Sequence, residues 1–367
     1  MMKKISAFKD KTVLITGNTG FKGSWMSLWL ESLGAKVIGV SSGVPTTPSN
    51  FEAISIQNSI IHYNGDICNT DFLKKVINKH QPDFFFHFAA QALVKNSYEN
   101  PLNTMMVNAI GTASVLESLL DYEKKIVLVL ITSDKAYDNV EWVWGYRETD
   151  SLGGKDPYSA SKGMAELAIK SYYHSFYKTN KFVKLGITRA GNVIGGGDWA
   201  EDRIVPDSIK AWADSSPVEI RSPKSTRPWQ HVLEPLSGYL LLAMKLFNNE
   251  VQSGEPFNFG PSSENNQSVE ELIIQMTKHW ENASWNDVSN KKEIFHEAGL
   301  LKLNCDKAYL QLGWLPSLTF EETVKLTTKW YKLFYSQKNN ESIRDFSISQ
   351  INYYTDKARQ KGQTWCN

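Results

Sequence analysis

The stretch Thr12-Val13-Leu14-Ile15-Thr16-Gly17-Asn18-Thr19-Gly20-Phe21-Lys22-Gly23 decides the fold. A short apolar, β-branched run leads into a turn with glycines at 17, 20 and 23. Beyond it Trp25, Met26, Leu28, Trp29, Leu30 and Leu33 recur at helical spacing, and Gly34 stands where a helix stops. Strand, glycine turn and helix in this order suit a bound dinucleotide. The first glycine allows a tight turn, the second lets backbone approach a pyrophosphate, and the third lets the helix pack on the sheet. The helix start offers free N–H groups and a positive dipole end to the phosphates. A turn-rich loop would also carry three glycines; their place between strand and helix favours the dinucleotide. Gly17, Asn18, Thr19, Gly20, Phe21, Lys22 and Gly23 are the first candidate cofactor contacts.

Outward from this turn, strand and helix signals alternate. Strands are expected at 37–40, 83–88 and 126–132, and helices at 71–79 and 102–120. Continuous apolar strands separated by helices predict an α/β fold, a Rossmann-type doubly wound parallel sheet covered on both faces, with its ligand at the carboxyl ends of the strands. After about residue 190 the pattern loosens. Gly195-Gly196-Gly197 breaks any element, and prolines punctuate short strands. The expected organisation is a dinucleotide-binding domain over 1–190, to which later segments return. A smaller, mixed α/β substrate-binding lobe follows over 191–335, with helices at 235–248 and 320–335. The polar stretch 336–367 reads as a C-terminal tail.

Composition bounds the rest. With 367 residues, 41% hydrophobic and 22% charged, a packed domain with an added lobe is expected and wholesale disorder is excluded. Lys+Arg is 40 against Asp+Glu 39, so nothing in the net charge favours nucleic acid or an anionic membrane. Cys68, Cys305 and Cys366 are far apart and form no CxxC pair, which argues against a disulfide scaffold or a zinc site. The seven histidines form no HxH or HxxxH cluster, so no metal is expected. No apolar run reaches membrane-spanning length, and the lysine-rich start does not read as a secretory signal. A cytoplasmic location is the expectation.

Two features bear on cofactor choice. The residues after the second strand, Ser41-Ser42-Gly43-Val44-Pro45, hold no acid for a ribose 2′-hydroxyl. No arginine precedes Arg147 to clamp a 2′-phosphate. NAD and NADP are therefore not cleanly separated; the missing arginine leans toward NAD. Asp66, beside Ile67, is a candidate for the adenine edge or, equally, a turn aspartate.

Tyr158 and Lys162 stand four apart, which places them on one helix face, and Pro157 suits the helix start. An ammonium near a phenol favours the phenolate, which can take a hydroxyl proton as hydride leaves the same carbon. An ordinary amphipathic helix could carry the same pair; its place downstream of the glycine loop gives it weight.

Taken with Ile131-Thr132-Ser133-Asp134-Lys135, His87-Phe88-Ala89-Ala90-Gln91, Asn108 and Arg189-Ala190-Gly191-Asn192-Val193, the chain resembles the extended short-chain dehydrogenase/reductase family over nearly its whole length. Within it, Gly20-Phe21-Lys22-Gly23-Ser24-Trp25, Ser133-Asp134-Lys135 and Glu141-Trp142-Val143-Trp144-Gly145-Tyr146-Arg147-Glu148 resemble the nucleotide-sugar 4,6-dehydratases, and among these the branch acting on CDP-glucose. The resemblance implies deoxysugar biosynthesis: oxidation at C4, loss of water across C5 and C6, and return of the stored hydride to C6. It implies Thr132, Tyr158 and Lys162 as catalytic residues, Asp134 as the acid at O6, and Lys135 as the C5 base or a protonated enolate stabiliser. Related dTDP- and GDP-sugar enzymes carry glutamate where Lys135 stands. It implies NAD held also by Asp66, Ile67, Ala89, Ala90, Gln91 and Asn108. A CDP-sugar would meet Asn192, Arg203, Arg227 and His231. Ion pairing is the alternative for the arginines, and a core or capping role for His231. A 4-epimerase shares Tyr158 and Lys162 without needing Asp134 and Lys135, and a non-catalytic dinucleotide-binding protein is the third reading. The resemblance also implies a homodimer or higher oligomer through helices 102–120 and 158–177, with Met105, Met106, Ala109, Ala113, Leu116 and Leu120 as the apolar face.

Overall fold

The computed structural model describes residues 5–262, 266–289, 300–336 and 342–366. Seven parallel strands form the main sheet: β1 (Thr12–Thr16), β2 (Lys36–Ser41), β3 (Ile61–Asn64), β4 (Phe84–His87), β5 (Ile126–Ile131), β6 (Val183–Ala190) and β7 (Pro256–Phe259). Their spatial order is β7-β6-β5-β4-β1-β2-β3, so the winding reverses between β1 and β4. A doubly wound sheet opens a crevice at such a point, beyond the carboxyl ends of its strands.

Side-chain alternation explains why the sheet is covered on both faces. Val13 and Ile15 of β1 enter one core and Leu14 the other. In β5, Val127, Val129 and Ile131 face the first core, and Ile126, Leu128 and Leu130 the second. Each fully buried aliphatic side chain contributes roughly 1.5–3 kcal/mol, and a charge at any of these positions would leave one face unable to close. The first helix is Phe21–Ser32. It ends at Leu33, followed by Gly34 at φ 82°. The long helix expected over 102–120 is a composite: Pro101–Met105, a π-helical turn Met106–Ile110, then Gly111–Glu117. Ala109 within the π turn and Leu116 beyond it are buried. Met106 of the expected face is exposed, flanked one turn away by exposed Leu102 and Ile110, with Met164 and Leu167 on the helix Pro157–Tyr172.

β7 returns the chain to the sheet beside β6, as expected for later segments. The looser half contributes three two-stranded pairs, among them Val193–Ile194 with Gln230–His231 and Thr226–Arg227 with Gln267–Ser268. The structure differs from the sequence reading at 336–367, where a tail was expected. Ile343–Gln360 is a helix whose Ser347, Gln350, Ile351, Tyr354 and Ala358 are buried. Tyr354 and Trp365 pack on Trp29 of the first helix, and Arg344 pairs with Glu31 at 2.7 Å. No helix among the described residues is long and apolar enough to cross a membrane.

Candidate active site

One continuous cleft of about 1840 Å³ runs from Ser42 and Asp66, past the glycine turn and the end of β5, to Arg203 and Arg227. Pockets for one small ligand typically hold about 300–1,000 Å³, so this cleft has room for two ligands end to end.

The glycine turn is closed by contact. Gly17 has φ 73°, and a Cβ there would lie 2.6 Å from the Ala89 backbone nitrogen. A Cβ on Gly23 would lie 2.1 Å from the Gly17 carbonyl oxygen. Only bare backbone fits, and the first helix starts at Gly20 with no side-chain cap on its N–H groups. This arrangement fits a dinucleotide pyrophosphate. Thr19, Gly20, Phe21, Lys22, Asp66, Ile67, Ala89, Ala90 and Gln91 line the same stretch of the cleft. Asp66 also accepts from the Cys68 amide at 2.9 Å, the turn role that the sequence left open.

Two expected cofactor contacts are corrected. Asn18 is fully buried and away from the cleft lining. Its Oδ1 accepts from Ser41 at 2.8 Å and its Nδ2 lies 3.2 Å from His62 Nδ1, so it ties the turn to β2 and β3. Asn108 is also buried. It accepts from the Gln91 amide at 2.8 Å and donates to the Gln91 carbonyl at 3.0 Å and Ser161 Oγ at 2.8 Å. It holds the Ala89–Gln91 loop to the tyrosine helix rather than meeting a ligand.

The end of β5 faces that helix. Asp156 caps Pro157–Tyr172 by accepting from the Ser159 amide at 2.9 Å, and Pro157 occupies the first turn. Tyr158 and Lys162 both line the cleft, with the Lys162 ammonium 6.0 Å from the Tyr158 ring centre. Burial dominates both groups. It pushes the phenol of Tyr158 up to about 12, against a hydrogen bond with Ser133 that lowers it. Burial and the Lys22 charge push Lys162 down to about 8. An added positive charge in the cleft would move Tyr158 toward the phenolate.

Thr132 lines the cleft, but its hydroxyl is engaged behind it, 2.6 Å from Glu166 Oε1 and 3.1 Å from the Thr188 carbonyl. The hydroxyl beside Tyr158 belongs to Ser133, which also donates to Asp134 Oδ1 at 3.0 Å. Ser133 thus stands between the tyrosine and the acid, with one proton to give to either the Tyr158 oxygen or Asp134 Oδ1. Ser133 also caps the 3₁₀ turn Asp134–Ala136 by accepting from the Lys135 amide. Asp134 is buried, and burial raises its carboxyl above the ordinary range against the pull of Lys135, Ser133 and Lys22. Lys135 is half-buried on the cleft wall. Lys22, read from the sequence only as part of the glycine turn, reaches this centre: burial and Arg203 push it down to about 8, while Asp134 and Asp198 oppose.

On the facing wall Asn192, Arg203 and Arg227 line the cleft. Arg203 makes an ion pair with Asp198 at 2.7 Å. Arg227 donates to its neighbouring Thr226 carbonyl at 2.9 Å. His231 is corrected: it is fully buried against Trp25, outside the cleft lining, and burial pushes it down to about 3. It is a neutral core histidine. No cluster of three metal-ligating side chains occurs among the described residues.

Comparison with known proteins agrees with this geometry. The chain is 45% identical over 330 residues to the CDP-glucose 4,6-dehydratase of Salmonella typhimurium, covering 89% of this chain and 91% of that one. It is 28% identical over 343 residues to the human dTDP-D-glucose 4,6-dehydratase, covering 90% and 93%. Among solved structures, the dTDP-glucose 4,6-dehydratase of Bacillus anthracis, in complex with NAD, superposes with a TM-score of 0.72 at 23% identity, covering 92% of this chain and 99% of that one. The epimerase Mth375 of Methanothermobacter thermautotrophicus superposes with a TM-score of 0.76 at 24% identity, covering 93% and 96%. At such identity the structural likeness speaks for the fold alone. Residues 14–327 match the family described as GDP-mannose 4,6 dehydratase, and with the Salmonella relative this settles that the chain belongs to that family, within the extended short-chain dehydrogenase/reductases.

Proposed function

We propose that this chain is a CDP-glucose 4,6-dehydratase with NAD as resident cofactor, forming CDP-4-keto-6-deoxyglucose. One observation carries the reading beyond family membership: a buried Asp134, its carboxyl pushed upward by burial, stands beside Ser133 and Tyr158. An epimerase would use Tyr158 and Lys162 but would leave this acid without a task.

Bound NAD supplies a reversible hydride acceptor. The glycine turn would hold its diphosphate, Asp66 and Ile67 its adenosine end, and Lys162 with Tyr158 its nicotinamide riboside. This chain's own groups then move the protons. Tyr158 takes the C4 hydroxyl proton, with Ser133 hydrogen bonded to it. The C4 ketone acidifies C5–H, and Lys135 either removes that proton as the neutral amine or, protonated, holds the enolate charge while solvent takes the proton. Asp134 gives its proton to the departing C6 hydroxyl. Arg203 and Arg227 suit the substrate diphosphate because a guanidinium fork pairs with phosphate oxygens. Arg203 must share its charge with Asp198 to do so.

Incubation with CDP-, UDP-, GDP- and dTDP-glucose, read by mass spectrometry, tests the reading. Water loss from CDP-glucose without net NADH supports it. Conversion to a galactose-configured product without water loss overturns it in favour of an epimerase. Lys135→Met separates the two lysine roles: lost C5 hydrogen exchange with solvent identifies the base, and slowed elimination with exchange retained identifies the enolate stabiliser.

The reading extends to a homodimer in the cytoplasm, in keeping with three unpaired thiols. Leu102, Met106, Ile110, Met164, Leu167 and Phe176 are exposed and would be covered by a second copy. Ile110→Glu with Leu167→Glu should yield a monomer in sedimentation.

A further inference from the structure

The reacting groups hang from three separate supports. Ser133, Asp134 and Lys135 follow β5, Tyr158 and Lys162 ride on the helix Pro157–Tyr172, and Asn192 follows β6. One buried carboxylate touches all three. Glu166 stands one helical turn beyond Lys162 and two beyond Tyr158. Its Oε1 accepts from Arg189 Nε of β6 at 2.7 Å, and its Oε2 accepts from Arg189 Nη2 at 2.9 Å. Oε1 also lies 2.6 Å from Thr132 Oγ1, at the end of β5. The Thr132 proton goes to this carboxylate rather than to the more distant Thr188 carbonyl, because charged acceptors make the shorter, stronger bonds.

The network continues outward. Arg189 Nη1 donates to Tyr137 Oη at 2.7 Å, and Tyr137 donates to Asn258 Oδ1 of β7 at 2.8 Å. Thr132, Tyr137, Glu166, Arg189 and Asn258 are all buried. A buried ion pair is costly to desolvate and is weak support for stability as such. What this one does is fix relative position, since the bidentate fork allows one orientation of helix against sheet.

We propose that Glu166, with Arg189 and Thr132, is a positioning residue that sets the Tyr158–Lys162 face against the Ser133-Asp134-Lys135 turn. The choice of assay rests on the dehydratase reading. Glu166 has a second effect, because its charge faces Lys162. The other groups facing Lys162 are Tyr158 on its own helix, Lys22 on the first helix and His87 on β4, with Arg189 acting through Glu166. His87 is held neutral by burial, so Glu166 is the anion opposing Lys22.

The test compares Thr132→Val, Thr132→Ser and Glu166→Gln in the full chain with NAD. A hydrogen bond to a buried charge has the size to cost Thr132→Val about ten- to a hundredfold in kcat, with KM changed less than about threefold. Thr132→Ser, which keeps the hydroxyl, restores kcat. Glu166→Gln removes an anion near Lys162, so the lysine loses its proton at lower pH and the alkaline limb of the kcat profile moves down. Wild-type kcat in Thr132→Val overturns the proposal. So does parallel loss of kcat, NAD affinity and melting temperature that Thr132→Ser fails to restore, the pattern of a general folding defect. If wild type converts no sugar nucleotide, the dehydratase reading has failed and a titration that needs no turnover decides. Carbon NMR of the lysine ε-methylenes should show the Lys162 midpoint lowered in Glu166→Gln; an unmoved midpoint overturns the proposal.

Discussion

The two walls of the cleft are built differently. On the sheet side, Gly17, Ser133 and Asp134 stand at the ends of long buried strands, and Tyr158 and Lys162 face them from a capped helix. On the opposite side, Arg227 belongs to a two-residue strand, and Arg203 caps the start of Ile204–Ala213 without a side-chain bond to that helix. The lesson is a division of labour. Proton transfers need reacting atoms held within fractions of an ångström, and buried strand ends supply that. Recognition of a flexible nucleotide sugar tolerates the looser wall, where side chains can adjust as charge arrives.

The sharpest way to break this contrast is at Tyr158. Tyr158→Phe should lower kcat by about a hundred- to ten-thousandfold, with NAD affinity and melting temperature held. A comparable loss of stability would mean that the sheet-side wall is not independently rigid. The next effect concerns what backs that wall. Glu234 is buried, its Oε1 accepting from the Ser317 and Leu318 amides and its Oε2 from Tyr354 of the C-terminal helix. Burial raises its carboxyl from 4.5 to about 7. A group whose folded value is raised stabilises the fold fully below its unfolded value and loses that contribution as pH rises through the folded one. Stability should therefore fall between pH 4.5 and about 7, by about 3 kcal/mol from this group. Denaturant melts across this window should show the slope in wild type and a flatter one in Glu234→Gln.

Gly17→Ala forces a Cβ onto the Ala89 backbone at positive φ, so it should destabilise by roughly 1–3 kcal/mol; calorimetry should show NAD binding weakened alongside. The smallest effect lies at the cleft mouth. Asp202 pairs with Lys95 at 3.1 Å across the two walls, both partly exposed. Asp202→Asn should leave thermal stability unchanged, with any rise in KM vanishing as salt is added. A large stability loss there would show the loose wall to be as constrained as the sheet.

The same contrast governs what the sequence made legible. The glycine turn and the Tyr158–Lys162 spacing could be read because backbone sterics and helix periodicity tie residue type to place. Polar residues in the core were not readable in the same way. Asn18, Asn108 and His231 carry groups equally suited to a ligand or to a buried backbone, and only the packed chain shows which they meet. Ser133 was hidden by Thr132, its neighbour in one motif, because both line the cleft and only the packed chain shows that Thr132 bonds Glu166 while Ser133 meets Tyr158 and Asp134. The C-terminal helix had a usable signal, with Ile343, Ser347, Ile351, Tyr354 and Ala358 at helical spacing, but polar residues between them masked it. Glu166 gave no motif at all; its importance comes from Arg189 and Thr132, which only the fold brings to it.

The proposed reaction is an internal hydride transfer with its protons managed by Tyr158, Asp134 and Lys135. Its most direct measurement uses CDP-glucose deuterated at C4, incubated with the enzyme and catalytic NAD, with NMR and mass spectrometry of the product. Deuterium is expected at C6 of a dehydrated 4-keto sugar, with no net NADH. Deuterium remaining at C4 of a product that has not lost water would contradict it.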